Sequence, residues 1–297
     1  MAEKKIKPPK KRSQMLDVWR RYRKSKTAML GLIIMICVFT LAGFANVIGP
    51  GDERNPGYDI QRIGRDYRMQ FPSSEHIMGT DDFGRDIFVR IAHGARISMT
   101  VGFVAVSISL IFGVTLGAIA GFYGGFVENF IMRAIDVLLS IPPILLAISI
   151  AAALRPGLRS VMIAVGIAAI PAYARIVRAS VLSLREQEFI EAARAIGASN
   201  FRIIRKHILP NCMAPIIVQA TMGMAYAILW AAALSFIGVG IQIPTPEWGA
   251  MLSEGRRYIF DFWPMTIFPG VAIAIVIFAL NMMGDGIRDA FDPRLKK

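Results

Sequence analysis

Six stretches of the chain are apolar enough and long enough to cross a bilayer: 29–48, 99–122, 130–154, 161–179, 214–237 and 265–283. A helix of about 20 residues, rising about 1.5 Å per residue, matches a hydrocarbon core about 30 Å thick. No Asp, Glu, Lys, Arg or His stands near the middle of any of the six. One long polar segment, 185–211, interrupts the series between the fourth and fifth spans. The pattern predicts an all-α polytopic membrane protein with six transmembrane helices. An even number of spans returns the chain to its starting side, so both termini share one face.

Within this frame, local signals predict the details. The basic stretch before the first span places the N-terminus inside, by the positive-inside tendency. Residues 16–26 suit a short amphipathic helix at the lipid surface or, equally, a solvated anchor. The connection 50–97 then lies outside, with a helix over 87–98 leading into the second span. Gly113, Gly117 and Gly121 recur every four residues, a ridge on which another helix can sit closely. Arg133 and Asp136 are spaced to pair on one helix face. Pro142-Pro143 breaks the third span, and the freed backbone groups there must be covered by neighbours or line a cavity. Residues 155–160 form an outer turn and 238–264 an outer loop, while 284–297 return inside.

Composition agrees with the pattern. The 297 residues are 55% hydrophobic and only 19% charged, with a mean hydropathy of +0.50. The net charge of +13 invites a nucleic-acid reading. Its location argues against one, because every lysine lies in 4–26, at 206 or at 296–297. That is the distribution of positive-inside anchoring, so nucleic acid is excluded as a partner and membrane lipid is the expected surroundings. Cys37 and Cys212 read as small hydrophobes, and the N-terminus lacks the cleavage pattern of a signal peptide. No phosphate-binding G-x-x-x-x-G-K-[ST], no H-E-x-x-H and no Cys/His metal spacing occurs. His76, His93 and His207 are far apart in sequence. No catalytic set, cofactor site or metal site is therefore expected in this chain.

The polar insert has its own periodicity. Phe189, Ile190, Ala193 and Ile196 share one face of a first helix, and Gly197 suits a left-handed stop. Ser199 or Asn200 can cap a second helix, whose apolar face is Phe201, Ile203, Ile204 and Ile208. Leu209-Pro210-Asn211 ends it. The small residues Ala192, Ala193, Ala195, Gly197 and Ala198 would let the turn seat in a partner's groove; an amphipathic pair lying on lipid is the simpler alternative.

Glu191-Ala192-Ala193, followed by Gly197 and by Leu209-Pro210, resembles the EAA loop of permease subunits in ABC importers. His207 stands where the wider family usually has Ile, a position at which the peptide-importer branch commonly accepts His. The sequence HIMGTDDFGRD over 76–86, then GARIS over 94–98, resembles the segment ahead of the core domain in the "C" permeases of dipeptide, oligopeptide and nickel importers. Its motif residues are Gly79, Thr80, Asp81, Asp82, Gly84, Arg85 and Asp86. Their opposed charges serve either to stiffen the segment or to meet a binding protein. RKSK over 23–26 before an apolar run fits the same group.

The resemblance implies a type I ABC importer permease in the cytoplasmic membrane, in four segments: 1–28 basic, 29–98 first helix plus external loop, 99–286 core domain, 287–297 tail. It implies a second homologous permease, two cytoplasmic ATPase subunits that bind ATP and Mg, and an external solute-binding protein. Coupling to the ATPases would run through Glu191, Ala192, Ala193, Gly197, Ala198, Leu209 and Pro210. Di- or oligopeptide is the implied cargo, with nickel-chelate and glutathione as alternatives within the subfamily. An ion-driven transporter or channel is the rival from another class. It would need ionisable groups or broken helices at mid-membrane, and only Pro142-Pro143 and Pro171 point that way.

Overall fold

The computed structural model describes residues 14–49 and 67–292. The basic run 1–13, the expected stop at Pro50-Gly51 and the last lysines lie outside the described residues. Among the described residues the chain is helical, with one isolated backbone bridge between Thr80 and Asp86 and no named strand. Among the described residues five helices are long and apolar enough to cross a membrane: α2 (Lys26–Ile48), α3 (Ile87–Tyr123), α6 (Leu158–Arg185), α10 (Met213–Ile237) and α12 (Pro264–Phe291). A bent pair, α4 (Gly125–Leu139) and α5 (Pro143–Ala153), makes a sixth if counted as one span.

Three expectations are revised, and the break expected at Pro142-Pro143 is met. The lead-in helix and second span are a single 37-residue helix, α3. Asp86 caps it, accepting from the backbone N–H of Val89 at 3.0 Å, and no Pro interrupts the stretch that follows. The third span is two helices meeting at 85°. Adjacent Pro142 and Pro143 both lack an N–H, so the helix ends and restarts, with Pro142 oxygen accepting from Leu145 and Leu146. Asp136 pairs with Arg175 on α6 at 2.7 Å rather than with Arg133. The last helix runs past Gly284-Asp-Gly to Phe291, because its glycines serve contacts rather than termination. A Cβ on Gly286 would lie 2.2 Å from that of Ala28.

The glycine ridge packs as its spacing requires. Cβ atoms added at Gly113, Gly117 and Gly121 would lie 2.5 Å from Tyr173 Cβ, 2.5 Å from the Ala174 carbonyl oxygen and 2.8 Å from Val181 Cβ. α3 and α6 therefore touch backbone to side chain over two helical turns. Pro171 is carried inside α6 without ending it. A second group forms where α2, α3, α10 and α12 meet, around Met35, Ile91, Ile228 and Val276. The N-terminal helix α1 (Gln14–Tyr22) packs on the end of α12 rather than only on lipid. There buried Tyr22 donates to the Ala28 oxygen at 3.0 Å, and Trp19 stacks on it while staying exposed to the surroundings.

The ridge yields a stability test. Gly117→Leu should destabilise the detergent-solubilised protein by about 1–3 kcal/mol through overpacking. Gly43→Ala, where nothing lies within 4 Å of the added carbon, should leave the thermal midpoint unchanged or slightly raised. Fluorescence-detected thermal unfolding of the two variants reads the difference.

Candidate functional site

The polar insert folds as a lever strapped across one end of the bundle. It comprises α7 (Glu188–Ala195), α8 (Asn200–Ile203), a widened π turn (Ile204–Ile208) and α9 (Leu209–Asn211), which leads directly into α10. The stop after α7 is a two-bond C-cap: Gly197 N–H reaches the Arg194 oxygen at 2.9 Å and Ala198 N–H the Ala193 oxygen at 3.1 Å. Gly197 has φ +78°, a conformation costly for any residue with a Cβ. Ser199 then caps α8, accepting from Arg202 N–H at 3.4 Å. The second helix was expected to stop at Leu209-Pro210-Asn211, yet Pro210 sits inside α9. The π turn just ahead, closed by Leu209 N–H on the Ile204 oxygen, carries the chain past a residue with no N–H.

The lever has two faces. Ile190, Ala193, Ile203 and Ile208 are buried against Phe122, Val177, Val181 and Ile216, from the ends of α3, α6 and α10. Arg194 lies over the Phe122 ring at 5.4 Å and Arg185 donates to the Gly121 oxygen at 3.3 Å. The apolar face is thus held by protein rather than by lipid. On the other face Glu191, Ala192 and Gly197 are exposed, Ala198 and Leu209 are half-buried and Pro210 is exposed. Ala192, Ala193, Gly197 and Ala198 line a depression of about 330 Å³ with Phe189, Ile196, Arg202 and His207. Ile196 and Phe201, 85% and 71% exposed, stand at its surroundings as unpartnered apolar groups. Nothing lies within 4 Å of where a Gly197 side chain would project.

At the opposite end of α3 the residues of 79–90 form a buried charge network. Arg85 Nε and Arg90 Nη1 each donate to Asp81 Oδ2 at 2.6 Å, and Arg90 Nη1 also reaches Glu254 Oε2 at 2.7 Å. Arg85 Nη2 bonds the other Glu254 oxygen. Asp81, Arg85, Arg90 and Glu254 are all buried, and two acids face two arginines. Asp81 Oδ1 further accepts from the backbone N–H of Phe83 and Arg85, at 2.8 and 2.9 Å. Gly79 and Gly84 take positive φ in the turns on either side. Thr80 hydroxyl ties Tyr67 oxygen to Gln70 N–H, and Asp86 holds His76 Nδ1 at 2.8 Å. Asp81, Arg85 and Arg90 are thus paired with one another and with Glu254, while the buried Oδ1 of Asp82 has no hydrogen-bond partner among the described residues.

The sequence reading missed Glu254 and its helix. Residues 238–264 were expected to be a loop, but α11 (Trp248–Gly255) folds back into the bundle. Buried Glu247 caps it, accepting from Ala250 N–H at 2.9 Å, and takes a bond from Ser98 on α3 at 3.5 Å. Burial pushes the Glu247 carboxyl above its ordinary range. Trp248 Nε1 donates to the Ile91 oxygen at 3.1 Å. A signal was available: Trp248, Met251 and the acids at 247 and 254 fall at helical spacing.

A bundle of five or six long apolar helices, with a strapped lever at one end and a charge-locked cap at the other, is the architecture of a multi-pass membrane protein. The chain belongs to the family of binding-protein-dependent transport system inner membrane components, whose model matches residues 113–297. The N-terminal transmembrane domain of oligopeptide transport permease C matches residues 13–65. The chain is 49% identical over 295 residues to the dipeptide transport system permease protein DppC of Alkalihalophilus pseudofirmus, covering 97% of this chain and 94% of the relative. It is 42% identical to the di/tripeptide transport system permease protein DppC of Pseudomonas aeruginosa, covering 96% and 93%. With the glutathione transport system permease protein GsiD of Escherichia coli the identity is 44%, covering 98% and 94%. In fold, the chain is similar to the MetNI methionine ABC transporter in an inward-facing form, with a TM-score of 0.57 at 20% identity over 68% of this chain and 97% of that one. The chain is an ABC importer permease of the peptide/oligopeptide family.

Two outcomes test the charge lock. Glu254→Leu leaves two buried arginines sharing one carboxylate, and should cost about 3–5 kcal/mol of stability. Adding Arg90→Leu should recover part of that loss, measured by denaturant unfolding of both variants. The Asp82 carboxyl is pushed up to about 6, first by burial and then by the nearby Glu254 and Asp81 charges. A raised acid stabilises the fold fully below its ordinary value of 3.8, and this contribution is lost as pH rises through about 6. The thermal midpoint of the parent protein should therefore fall more between about pH 4 and about pH 7 than that of Asp82→Asn.

Proposed function

We propose that this permease serves an ATP-driven importer of di- or oligopeptides, and that α7 to α9 is the surface on which an ATPase subunit docks. The observation that carries the reading is the two-faced lever. Its apolar face is buried on α3, α6 and α10, while the exposed turn at Gly197 borders the depression on its other face. A groove-shaped partner can seat on small residues there, and any displacement passes directly to three spans. Glu191, Ala192, Ala193, Gly197, Ala198, Leu209 and Pro210 are the contact and transmission residues in this scheme.

The remaining parts follow from the same reading. The lever end and both termini face the cytoplasm, and the charge-locked end faces outward, toward a solute-binding protein. A second homologous permease encloses the path with this one. This chain is non-catalytic and holds no cofactor; ATP and Mg belong to the ATPase subunits. Alternating access is then a population shift driven by the different affinities of the two states for ATP. Relatives named for dipeptides and di/tripeptides support peptide cargo. The relative named for glutathione, itself a modified tripeptide, keeps that cargo as the second reading.

The test is Gly197→Trp in the assembled complex. The indole should block docking, so ATPase subunits fail to co-purify, or ATP hydrolysis continues without peptide uptake. Normal assembly with normal uptake would overturn the lever assignment. Uptake that survives ATP depletion while an ion gradient is maintained would overturn the ATP-driven reading.

A further inference from the structure

Where the third span breaks, the bundle is hollow. A cavity of about 220 Å³ opens between α3, the α4–α5 break, α6 and α10, with Pro143 and Leu139 on its wall. The predicted consequence of Pro142-Pro143, a break that lines a cavity, is met here. One face of α10 supplies the other wall: Gln219, Gly223, Tyr226 and Trp230 follow at intervals of four, three and four residues. This face differs from the rest of a helix that is otherwise almost wholly apolar.

Gln219 is the anomaly. Its backbone oxygen accepts from Tyr173 at 3.3 Å, but its side-chain amide has no partner among the described residues. An amide in an apolar span is costly unless something bonds it. Gly223 keeps the approach open, since a Cβ there would lie 2.1 Å from the Tyr173 hydroxyl. Beyond it the Tyr226 and Trp230 rings stand 6.4 Å apart, tilted by 47°. No charged side chain lines the cavity.

We propose that Gln219, flanked by Tyr226 and Trp230, is a contact for the backbone amide of a peptide in transit, resting on the import reading above. A carboxamide offers one acceptor and two donors, the complement of a peptide N–H and C=O. Aromatic walls accept varied side chains through apolar contact, and the absence of charge leaves the contact indifferent to cargo charge. A lipid tail would leave the amide unbonded. The volume is below the range of about 300–1,000 Å³ usual for a whole ligand site, so this cavity receives part of a peptide and the rest lies against the facing permease.

The experiment uses the complete importer complex, purified with its own partners, in proteoliposomes. The probes are L-alanyl-L-alanine and L-alanyl-L-lactate, an ester analogue that lacks the internal amide N–H. ATP-dependent uptake of both is compared in the parent and in Gln219→Leu and Gln219→Asn complexes. The binding protein is the same throughout, so a change in the amide-to-ester ratio belongs to the permease. The ratio of Vmax/KM values should fall roughly three- to tenfold in Gln219→Leu, the worth of one hydrogen bond. Gln219→Asn should retain part of it.

An unchanged ratio in Gln219→Leu overturns the contact while leaving peptide import intact. Failure of the Gln219→Leu complex to assemble, with an unchanged ratio in an assembled Gln219→Asn complex, assigns the amide to packing against the other permease and also overturns it. A parent complex that imports neither probe overturns the import reading itself, and the contact with it.

Discussion

A polar group inside a bilayer has no water to turn to, and this constraint governs how the chain is built. Hydroxyls in the spans bond back to carbonyls one turn earlier, as Thr40 does to Ile36, Ser107 to Phe103 and Thr221 to Ile217. Ser109 goes further and bridges helices, donating to the Gly166 oxygen on α6 at 2.7 Å. Helices can share such bonds only where their backbones come close, which is what Gly113, Gly117 and Gly121 permit. The α3–α6 contact is thus both a close packing of two long helices and a place where a buried hydroxyl finds a partner on another helix.

The same rule explains the two ends of α3. Four charged side chains are buried together at one end, a costly arrangement unless each is bonded. Each takes part in at least one ion pair, because Asp81 and Glu254 offer oxygens to both Arg85 and Arg90. α11 is held to α3 at three heights: Glu254 by Arg90, Trp248 by the Ile91 oxygen and Glu247 by Ser98. At the other end the contacts to the lever are mainly apolar, and its exposed face carries loose charges. One end is locked by directional bonds; the other presents a surface.

Much of this was legible in the sequence because it rests on period and on covalent chemistry. The apolar runs, the four-residue glycine spacing, the Pro142-Pro143 break and the Gly197 stop each follow from one segment's own residues. Of the lever's expected apolar faces, Ile190, Ala193, Ile203 and Ile208 are buried, whereas Phe189, Ile196 and Phe201, expected beside them, are exposed. What escaped depends on pairs distant in the chain. Asp136 was assigned to Arg133, three residues away, whereas the better partner is Arg175 on another helix. Glu254 looked like one acid in a polar loop, because its two arginines lie some 160 residues earlier in the chain. Gln219 drew no notice because it carries no charge. Its meaning depends on the cavity beside it, which five separate helices make.

The geometry also constrains how motion can cross the molecule. α3 is 37 residues long, about 55 Å at 1.5 Å per residue, and it is unbroken. Its Phe122 touches the lever, its Arg90 enters the charge lock, and its glycines grip α6 between them. In the docking scheme proposed above, a push at the lever would be carried by α3 and α6 as a pair, since their glycine contacts hold them together. The break in the bundle is elsewhere, at the 85° junction of α4 and α5, whose residues wall the Gln219 cavity. A rigid pair moving against a broken span changes the shape of the space between them, and that space is where the unpartnered amide stands.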